Sequence, residues 1–441
     1  MGFRGQAFAF ESPAAAVEAM IARLADGRAS DHAEPVPLDD ARGRILAEAI
    51  ACDRDSPPFD HSAMDGYAIR TSDLVRAIGH TTQGDHVSFP VVDEARIGSP
   101  PPALPESAAI RIVTGAAVPA GADAVVRREE VSEHADGGRI STISIAWHAA
   151  TRVRTGDSIR RRGENARAGD AVLRRGVVIS SAALGTLAAT GCVRPRVYAR
   201  VRAAIITTGD ELVPPHARPA AFQIRNSNAP TISATLGSQR WMEVVSVTHS
   251  GDEPRKLEET LRDALGRADA VVLTGGVSIG HRDPVREAVE AAGAEIVFHG
   301  LPQRPGKPIL GAVLARKDGC PAPIFALPGN PVSAMVTCTR IVLPVLAVRA
   351  GSSADRLPSP CLPRLVPLTN PDGLALDLWW HRLARLNRAG EAELIDARGS
   401  GDIIAAGCSD GFLEFPPLSA PTPARSSRSE PPLVPFFAWP F

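Results

Sequence analysis

The central third of the chain, residues 201–348, alternates continuous apolar runs with amphipathic stretches. The run 201–209 is almost entirely apolar and ends in glycine, which is typical of a buried parallel strand. The amphipathic stretch 252–268 places four apolar residues on one helical face: Leu257, Leu261, Ala264 and Leu265. Further strands are predicted at 268–276, 294–300 and 322–330, and further helices at 283–293 and 331–348. Strands that alternate with helices of this length predict a parallel sheet covered on both faces.

The regions on either side of this pattern differ from it. Helices are predicted at residues 12–25 and 38–50. Between 56 and 165, Gly and Pro recur every few residues and short strand-like runs alternate with turns, which predicts a β-rich domain without a long helix. From 351 onward the chain is Pro-rich and strand-like, and the stretch 416–431 is either a flexible linker or part of a small terminal β-domain.

Composition and charge exclude several classes of protein. The chain has 441 residues, 44% of them hydrophobic and 22% charged, which are the values of an ordinary globular protein. A net charge of −1 predicts no overall field that would attract nucleic acid or an anionic membrane. The chain does not open like a signal peptide, and no apolar run reaches the length of about eighteen residues that a membrane span needs. We therefore expect a cytoplasmic protein with no membrane and no nucleic-acid partner.

The six cysteines are spread along the chain without a CxxC pair. In a chain of this length, that spacing argues against a disulfide framework and against a structural zinc site. It agrees with a reducing compartment.

Three predicted strands end in loops that are rich in glycine and acid, at 207–212, 274–283 and 327–333. Parallel strands bring such loops to one edge of the sheet, where open α/β folds bind ligands. Asp283 and Asn330 each precede a proline, and each taken singly is more readily a helix cap than a ligand, as is Asp252. Three such loops at one edge nevertheless favour an anion site at the helix N-termini.

Two further segments carry clustered charge. In 304–308, a Pro-Gly pair separates Arg304 from Lys307 and can direct both cations at one anion, although a solvated turn is the alternative. The basic run 160–162 stands beside Glu164 and is either ordinary surface or a cleft wall.

The segment 59–69 places Asp60 and Asp65 five residues apart, with Gly66 allowing a tight turn. Carboxylates this close are candidate ligands for Mg²⁺. His61 has no companion at a spacing that zinc uses. The residues alone therefore indicate an α/β anion-binding enzyme with a candidate magnesium site.

Seven motifs together resemble those of one family. In chain order they lie at 57–70, 110–126, 159–165, 207–212, 274–283, 304–308 and 327–334. Their sequences and their order are similar to those of the molybdopterin molybdenumtransferases, the MoeA family that includes the E domain of gephyrin. The resemblance extends over about residues 12–415.

This resemblance implies a multidomain α/β protein. Its expected parts are a mixed linker domain (12–55 and 166–200), a β-rich inserted domain (56–165), a Mog/MoaB-like parallel-sheet domain that binds molybdopterin (201–350), and a C-terminal β-barrel (351–441). It also implies a homodimer whose active cleft lies between the α/β domain of one subunit and the inserted domain of the other.

The implied reaction is a step of molybdenum cofactor biosynthesis. Molybdate is inserted into adenylylated molybdopterin, and the adenylate is hydrolysed with Mg²⁺ to release AMP and molybdenum cofactor. Expected protein partners are a molybdopterin adenylyltransferase and the apoproteins of molybdoenzymes.

Matching the motifs residue by residue implies site residues. The implied catalytic residues are Asp60, Asp65, Glu211 and Lys307, and the implied metal ligands are Asp60, Glu211 and Asp283. The implied substrate-binding residues are Thr114, Arg162, Asp210, Asp252, Gly275, Gly276, Ser278, Arg304, Pro328, Gly329, Asn330, Pro331, Ser333, Arg382 and Ser400.

The chain departs from the family pattern at three positions. Asn165 and Asn226 stand where the family usually has acids, and Arg304 stands where it usually has lysine. Losing two acids should weaken Mg²⁺ binding, so a non-catalytic protein that binds or delivers the cofactor is the alternative. A scaffold function rests only on the segment 416–431.

Overall fold

The computed structural model describes residues 8–24, 32–277, 283–420 and 431–440. The chain divides into two compact units. We call Met1–Glu48, Arg174–Ala188 and Cys192–Phe441 the main unit, and Ala49–Leu173 with Ala189–Gly191 the insert unit. The boundaries of the four domains given above stay a prediction.

The main unit begins with three short elements. They are helix α1 (Pro13–Leu24), strand β1 (Ala33–Pro35) and helix α2 (Leu38–Ala41). Ser12 caps α1, since its hydroxyl accepts a hydrogen bond from Ala15 N at 3.1 Å. The helix predicted at 38–50 is wrong beyond its first turn. Gly43 has a positive φ of 75°, and Ile45 and Leu46 then form β-bridges instead of helical turns.

The insert unit is rich in strands, as predicted. Its elements are β2 (Ile50–Ala51), β3 (His61–Ser62), β4 (Gly66–Ile69), α3 (Thr71–Gly79), β5 (His86–Ala95), β6 (Ala109–Ile112), β7 (Ala124–Arg127), a 3₁₀ turn (Arg128–Glu130), β8 (Val131–Asp136), β9 (Arg139–Ala146), α4 (Trp147–Ala150), β10 (Ile159–Arg160) and β11 (Ala171–Leu173). Six of these strands form one sheet in the order β7-β4-β6-β5-β9-β8. Tyr67 and Phe89 are buried in its core.

The chain then returns to the main unit through helix α5 (Ser181–Ala189) and strand β12 (Arg196–Tyr198). The elements that follow, with a π-helical turn before the last, are β13 (Val201–Thr207), β14 (Leu212–Val213), β15 (Ile224–Arg225), α6 (Asn228–Gly237), β16 (Met242–His249), α7 (Pro254–Arg267), β17 (Ala270–Thr274), α8 (Pro284–Ala291), β18 (Glu295–His299), β19 (Gln303–Arg304), β20 (Leu310–Leu314), β21 (Ala322–Leu327), α9 (Pro331–Thr337), the turn Cys338–Val342 and α10 (Leu343–Arg349). Six strands form a sheet in the order β16-β13-β17-β21-β20-β18.

The sheet is mixed, which corrects the all-parallel prediction. Strands β16, β13, β17 and β21 pair in parallel. Strand β20 runs antiparallel to both β21 and β18, so β18 points the same way as the parallel strands. Neither β16 nor β20 was predicted. No helix crosses over between β18 and β20, and without a crossover an antiparallel return is the accessible geometry.

The apolar stretch 331–349 packs inside the main unit. By length and hydropathy it could cross a membrane, but 78% of its most apolar window is buried within the protein. Its buried side chains join one core with those of α1 and β13. Burial of this kind is what the central helix of a large core requires.

The carboxyl-terminal elements form a second sheet. They are a 3₁₀ turn (Ser359–Cys361), β22 (Arg364–Pro367), β23 (Trp379–Leu386), β24 (Ala392–Leu394), α11 (Ile403–Gly407), β25 (Gly411–Phe415) and β26 (Leu433–Ala438). The sheet order is β19-β23-β25-β26-β22, and β24 pairs with β23. The predicted closed barrel is not confirmed: in the part of the chain that the structure describes, the β22 end reaches β24 only through one isolated bridge, between Leu368 and Ala392, and β19 pairs on one side only.

Candidate functional site

The three predicted glycine-rich loops do meet at one edge of the main sheet. They follow β13, β17 and β21, which are neighbours and run in parallel. Backbone hydrogen bonds continue past the strand ends, from Thr208 N to Thr274 O at 2.9 Å and from Gly275 N to Leu327 O at 3.2 Å. Carboxyl-edge loops in this arrangement form the usual ligand crevice of open α/β sheets.

Two buried asparagines fix these loops. Asn228 donates through Nδ2 to Thr274 Oγ1 and to Gly329 O, both at 2.8 Å. Asn226 donates to Thr207 Oγ1 at 2.8 Å and accepts from Ala229 N at 3.0 Å, at the start of α6. Sequence reasoning missed the role of Asn228, although it lies in the same short motif as the noted departure at Asn226.

Gly275 and Gly276 allow the close approach of two loops. Both have positive φ, 94° and 66°. A Cβ at Gly275 would lie 2.4 Å from the carbonyl oxygen of Thr208, so a larger residue cannot be accommodated without movement. Gly329, by contrast, has room, since its nearest neighbour would lie 3.6 Å away. Ser278 lies outside the described residues.

The acids of this edge differ in what they contact. Asp210 and Asp252 brace each other, because each carboxylate accepts the backbone N–H of the other residue at 3.3 and 3.1 Å. Asp252 is therefore not the predicted cap of α7; the N-cap position is Glu253. Glu211 is exposed, and no side chain among the described residues donates to its carboxylate.

Asp283 caps α8, as its position before proline predicts. Its Oδ1 accepts from Arg286 N at 2.9 Å, and its Oδ2 lies 3.1 Å from His299 Nε2. The residue is 6% exposed. Oδ1 thus caps the helix and Oδ2 is buried beside His299, which leaves the capping role as the one that the geometry supports.

The turn at 304–308 carries two cations in different surroundings. Gln303 Nε2 donates to Gly306 O at 2.9 Å and closes the turn. Lys307 Nζ lies 5.4 Å from the centre of the Phe8 ring. Arg304 is exposed on β19, and no described residue hydrogen-bonds or ion-pairs with its guanidinium. Arg304 is therefore available to an anion.

The loop after β21 contacts the carboxyl-terminal segment. Asn330 occupies the N-cap position of α9, but its side chain donates to Ser400 Oγ at 2.9 Å and makes no capping bond, so the predicted side-chain cap is wrong. Val332 N donates to Ser400 O at 3.0 Å. Two predicted site residues, Asn330 and Ser400, are thereby brought into contact.

Three other predicted residues in this region have structural partners. Pro331 is the first residue of α9, Pro328 O accepts from Thr274 Oγ1 at 3.2 Å, and Ser333 is buried with its carbonyl accepting from Thr337 Oγ1 at 2.7 Å.

Arg382 is held by a carboxylate. Its two terminal nitrogens donate to Asp372 at 2.8 and 2.6 Å, and its guanidinium lies 4.4 Å from the centre of the Trp380 ring. The hydrogen bonds from Arg382 lower the pKa of Asp372 to about 2.

In the insert unit, Asp60 and Asp65 have separate partners. Asp60 accepts from Arg161 Nη1 at 2.7 Å and from Arg162 N at 2.8 Å, so both of its oxygens are engaged. Asp65 accepts through Oδ1 alone, from Thr114 N and Thr114 Oγ1 at 2.7 and 2.8 Å. The structure thus gives the two acids no common partner.

The pKa values of both acids are lowered. Burial alone would raise the pKa of Asp60, but the Arg162 backbone and the Arg161 guanidinium outweigh it. The backbone N–H and then the hydroxyl of Thr114 lower the pKa of Asp65. Both carboxylates are therefore ionised at neutral pH.

Gly66 is required by strand packing and not by the turn that the sequence suggested. A Cβ there would lie 2.0 Å from the carbonyl oxygen of Val126, in the neighbouring strand β7. A side chain at this position would force β4 and β7 apart.

The basic run 160–162 is paired with acids of the same unit. Arg162 Nε donates to Asp55 Oδ2 at 2.6 Å, and Arg160 Nη2 donates to Asn165 Oδ1 at 2.8 Å. Asp55 was missed by sequence reasoning because no local motif distinguishes it. The run 160–162 is therefore bound to side chains of the insert unit and is not a free cationic surface.

No group of three or more His, Cys, Asp or Glu side chains within the described ranges is placed to hold a metal ion. Magnesium, however, commonly uses one or two carboxylates and completes its shell with water and substrate phosphates. Glu211 fits that requirement because its carboxylate is exposed and unpartnered. Asp60 fits it poorly because both of its oxygens accept hydrogen bonds, and Asp283 fits it poorly because it is a buried helix cap.

Glycine-lined loops at the carboxyl edge of a mixed sheet are the arrangement in which open α/β folds bind phosphate-bearing ligands. Comparisons with known proteins agree. Residues 11–191 match the family described as MoeA N-terminal region (domain I and II), and residues 204–348 match the probable molybdopterin binding domain.

Curated relatives identify the family. The molybdopterin molybdenumtransferase of Synechococcus elongatus is 33% identical over 84% of this chain and 88% of its own length. The enzyme of the same name from Haemophilus influenzae is 33% identical over 74% of this chain and 75% of its own. The chain belongs to the molybdopterin molybdenumtransferase family.

A solved structure supports the same assignment. The molybdopterin biosynthesis moeA protein of Pyrococcus horikoshii OT3 is 25% identical, has a TM-score of 0.73, and aligns over 98% of this chain and 100% of its own.

Proposed function

We propose that this chain is a transferase of molybdenum cofactor biosynthesis that inserts molybdate into adenylylated molybdopterin. The observation that carries the proposal is the carboxyl edge of the main sheet. There the chain combines close-packed glycine loops with Glu211, whose carboxylate has no partner among the described residues. The segment that follows β18 adds Arg304, an exposed guanidinium that also has no described partner. Family membership supplies the substrate class.

The main unit binds the anionic substrates. The helix that starts at Pro331 presents the positive end of its dipole at the same edge as Gly275 and Gly276. Arg304 supplies a planar guanidinium, which suits the paired oxygens of phosphate or molybdate. Asp210 and Asp252 fix two of the loops through their reciprocal bonds.

Hydrolysis of the adenylate needs charge neutralisation at phosphate oxygens. Mg²⁺ supplies that neutralisation when it is bound, and Glu211 is the residue we assign to hold it, with substrate phosphate oxygens completing the site. Asp65 is assigned a catalytic role because Thr114 orients its carboxylate and leaves Oδ2 without a described partner. Asp60 is assigned instead to holding Arg161 and Arg162 in place.

Further parts of the proposal come from the family alone. They are a homodimer, a cytoplasmic location, and transient contacts with a molybdopterin adenylyltransferase and with molybdoenzyme apoproteins. Analytical ultracentrifugation tests the first, since a sedimentation coefficient of a monomer at micromolar concentration would contradict a stable dimer.

The test of the activity is reconstitution. Purified protein is mixed with adenylylated molybdopterin, molybdate and Mg²⁺, and AMP is followed by chromatography while cofactor is followed by activation of an apo-molybdoenzyme. AMP and active cofactor should form together. If neither forms at any molybdate concentration while the substrate still binds, the chain is a binding or delivery protein.

The departures at Asn165 and Asn226 do not favour that alternative. Asn226 uses both its amide nitrogen and its oxygen in hydrogen bonds that support the loops, and Asn165 accepts from Arg160. Each amide thus has a structural use that does not depend on loss of catalysis.

A further inference from the structure

We propose that Asp372 is a built-in competitor for the oxyanion that Arg382 binds. Its carboxylate pairs with the guanidinium of Arg382, and a tetrahedral oxyanion of the molybdate class must displace it. This inference rests on the proposed function and adds a residue that sets the threshold concentration of oxyanion.

Arg382 and Asp372 form a bidentate pair. Two nitrogens of Arg382 donate to the two oxygens of Asp372 at 2.8 and 2.6 Å. This bidentate arrangement is the one by which a guanidinium also binds a phosphate-like oxyanion. A carboxylate and an oxyanion cannot use the same pair of N–H groups at once.

Arg382 lies over an aromatic ring. Its guanidinium lies 4.4 Å from the centre of the Trp380 ring, and its side chain is 17% exposed. Across the parallel ladder, Arg304 is the register partner of Trp380. Arg304 thus lies beside Trp380 in the neighbouring strand, and its guanidinium has no described partner.

Asp372 lies outside the strands. Its side chain is 37% exposed and lies in the irregular segment between β22 and β23, outside the sheet that carries both arginines. A carboxylate on such a segment can move away from Arg382 without disturbing the ladder. The guanidinium of Arg382 thus lies on a strand, and the carboxylate of Asp372 lies on the segment that connects two strands.

The size of the effect follows from the fraction of time that Arg382 is free. If the guanidinium is free about one tenth of the time, its apparent affinity for an oxyanion is about ten-fold below its intrinsic affinity. Removing the carboxylate of Asp372 should therefore raise the apparent affinity for the oxyanion about ten-fold.

The test uses the full chain with molybdate alone as the probe, at constant ionic strength, by isothermal titration calorimetry. Asp372→Asn should bind molybdate about ten-fold more tightly than the unmodified protein. Glu393→Gln is the matched control, because Glu393 pairs with Arg385 farther along the same strand, at 2.9 Å. The control should leave molybdate binding unchanged.

A second readout reports directly on the guanidinium. Since Arg382 stacks on Trp380, molybdate should change the tryptophan fluorescence of the protein, and Trp380→Phe should remove that change. Thermal denaturation confirms that Asp372→Asn is folded. Unchanged or weaker molybdate binding in folded Asp372→Asn overturns the inference, as does an equal gain in Glu393→Gln.

Failure of this inference is distinct from failure of the proposed function. In the reconstituted reaction, Asp372→Asn should lower the KM for molybdate and leave the KM for adenylylated molybdopterin unchanged. If the unmodified enzyme is active and Asp372→Asn leaves the KM for molybdate unchanged, the role of Asp372 as a competitor is contradicted but the transferase function is not. An unmodified protein that forms no cofactor contradicts the transferase.

Discussion

The strand-end loops of the main unit and the segment 59–69 of the insert unit both present acids, but those acids are used differently. Glu211 is exposed and has no described partner. Asp60, in the insert unit, has both oxygens engaged by Arg161 and Arg162. Asp65 lies between the two cases, with only Oδ1 engaged. The contrast teaches that availability of a carboxylate oxygen, and not the presence of an acid in a motif, decides which residues can meet a substrate or a metal.

A fully engaged and buried carboxylate in the main unit gives the largest effect expected. Glu414 accepts from Arg340 Nε at 2.6 Å and lies 3.0 Å from His381 Nε2, and it is 6% exposed. Glu414→Gln leaves Arg340 buried beside a neutral group, so we expect a loss of about 3–5 kcal/mol in the free energy of unfolding. Denaturant unfolding followed by circular dichroism measures it.

The same carboxylate predicts a pH dependence. Burial would raise the pKa of Glu414, but His381 and Arg340 outweigh burial and lower it from 4.5 to about 2. A lowered pKa contributes stability that is complete above pH 4.5 and is lost as the pH falls toward about 2. Glu414→Gln should therefore flatten the pH dependence in that window, and an unchanged slope would contradict the ion pair.

Glu211→Gln tests the opposite extreme, a carboxylate with no partner to lose. Because nothing in the described structure depends on it, the melting temperature should stay unchanged. The rate of AMP release should fall about 100-fold if the carboxylate holds Mg²⁺ near the phosphates. The neighbouring exposed acid Glu253→Gln is the control and should retain full activity. A variant of Glu211 that unfolds, or one that stays active, removes this residue from the site.

Gly275→Ala tests whether the main-unit edge depends on loop packing as well as on charge. The added Cβ would meet Thr208 O at 2.4 Å at a φ of 94°, and we expect a cost of about 1–3 kcal/mol in stability together with weaker binding of molybdopterin. Gly329→Ala is the control, since its nearest atom would lie 3.6 Å away. Equal effects of the two substitutions would contradict the close contact.

Asp60→Asn should show the signature of a structural acid. Losing the charge that holds Arg161 should increase amide hydrogen exchange in residues 159–165, while AMP release should fall less than about ten-fold. Asp65→Ala provides the contrast, because its free Oδ2 predicts a much larger loss of activity with little change in exchange. If Asp60→Asn abolishes AMP release without altering exchange, Asp60 is catalytic after all.

Asn165→Asp should have the smallest effect. The side chain is exposed, and its Oδ1 already accepts from Arg160 at 2.8 Å, so a carboxylate would only strengthen an existing exposed contact. Steady-state rates should change less than about two-fold, within what exposed pairs of charges contribute. A large gain in activity would show that the unmodified chain lacks a catalytic acid.

Much of the main sheet could be predicted because its strands are continuous apolar runs with glycine at their ends, as in 201–209 and 268–276. The strands that were missed, β16 and β20, lack that pattern or follow a Pro-rich turn. The helix predicted at 38–50 was wrong because Ile45 and Leu46 found strand partners far along the chain. Long-range pairing of this kind leaves no local signal.

The candidate site, too, could be predicted only in part. Its glycines, its acids and the cations at 304–308 could be chosen from motifs. Their partners could not, since Asp372 lies ten residues from Arg382, Asp55 lies 107 residues from Arg162, and Asn228 lies 101 residues from Gly329.

Local pattern and motif order were enough to predict the family, the alternation of strands and helices in the main unit, and the set of polar residues at the strand ends. Long-range contacts made β20 antiparallel and β19 a strand of the carboxyl-terminal sheet, engaged Asp60 and Arg382, and left Glu211 and Arg304 without a partner among the described residues. The physical reason is that a charge becomes available or engaged through neighbours that the fold brings together, and those neighbours lie far away in the chain.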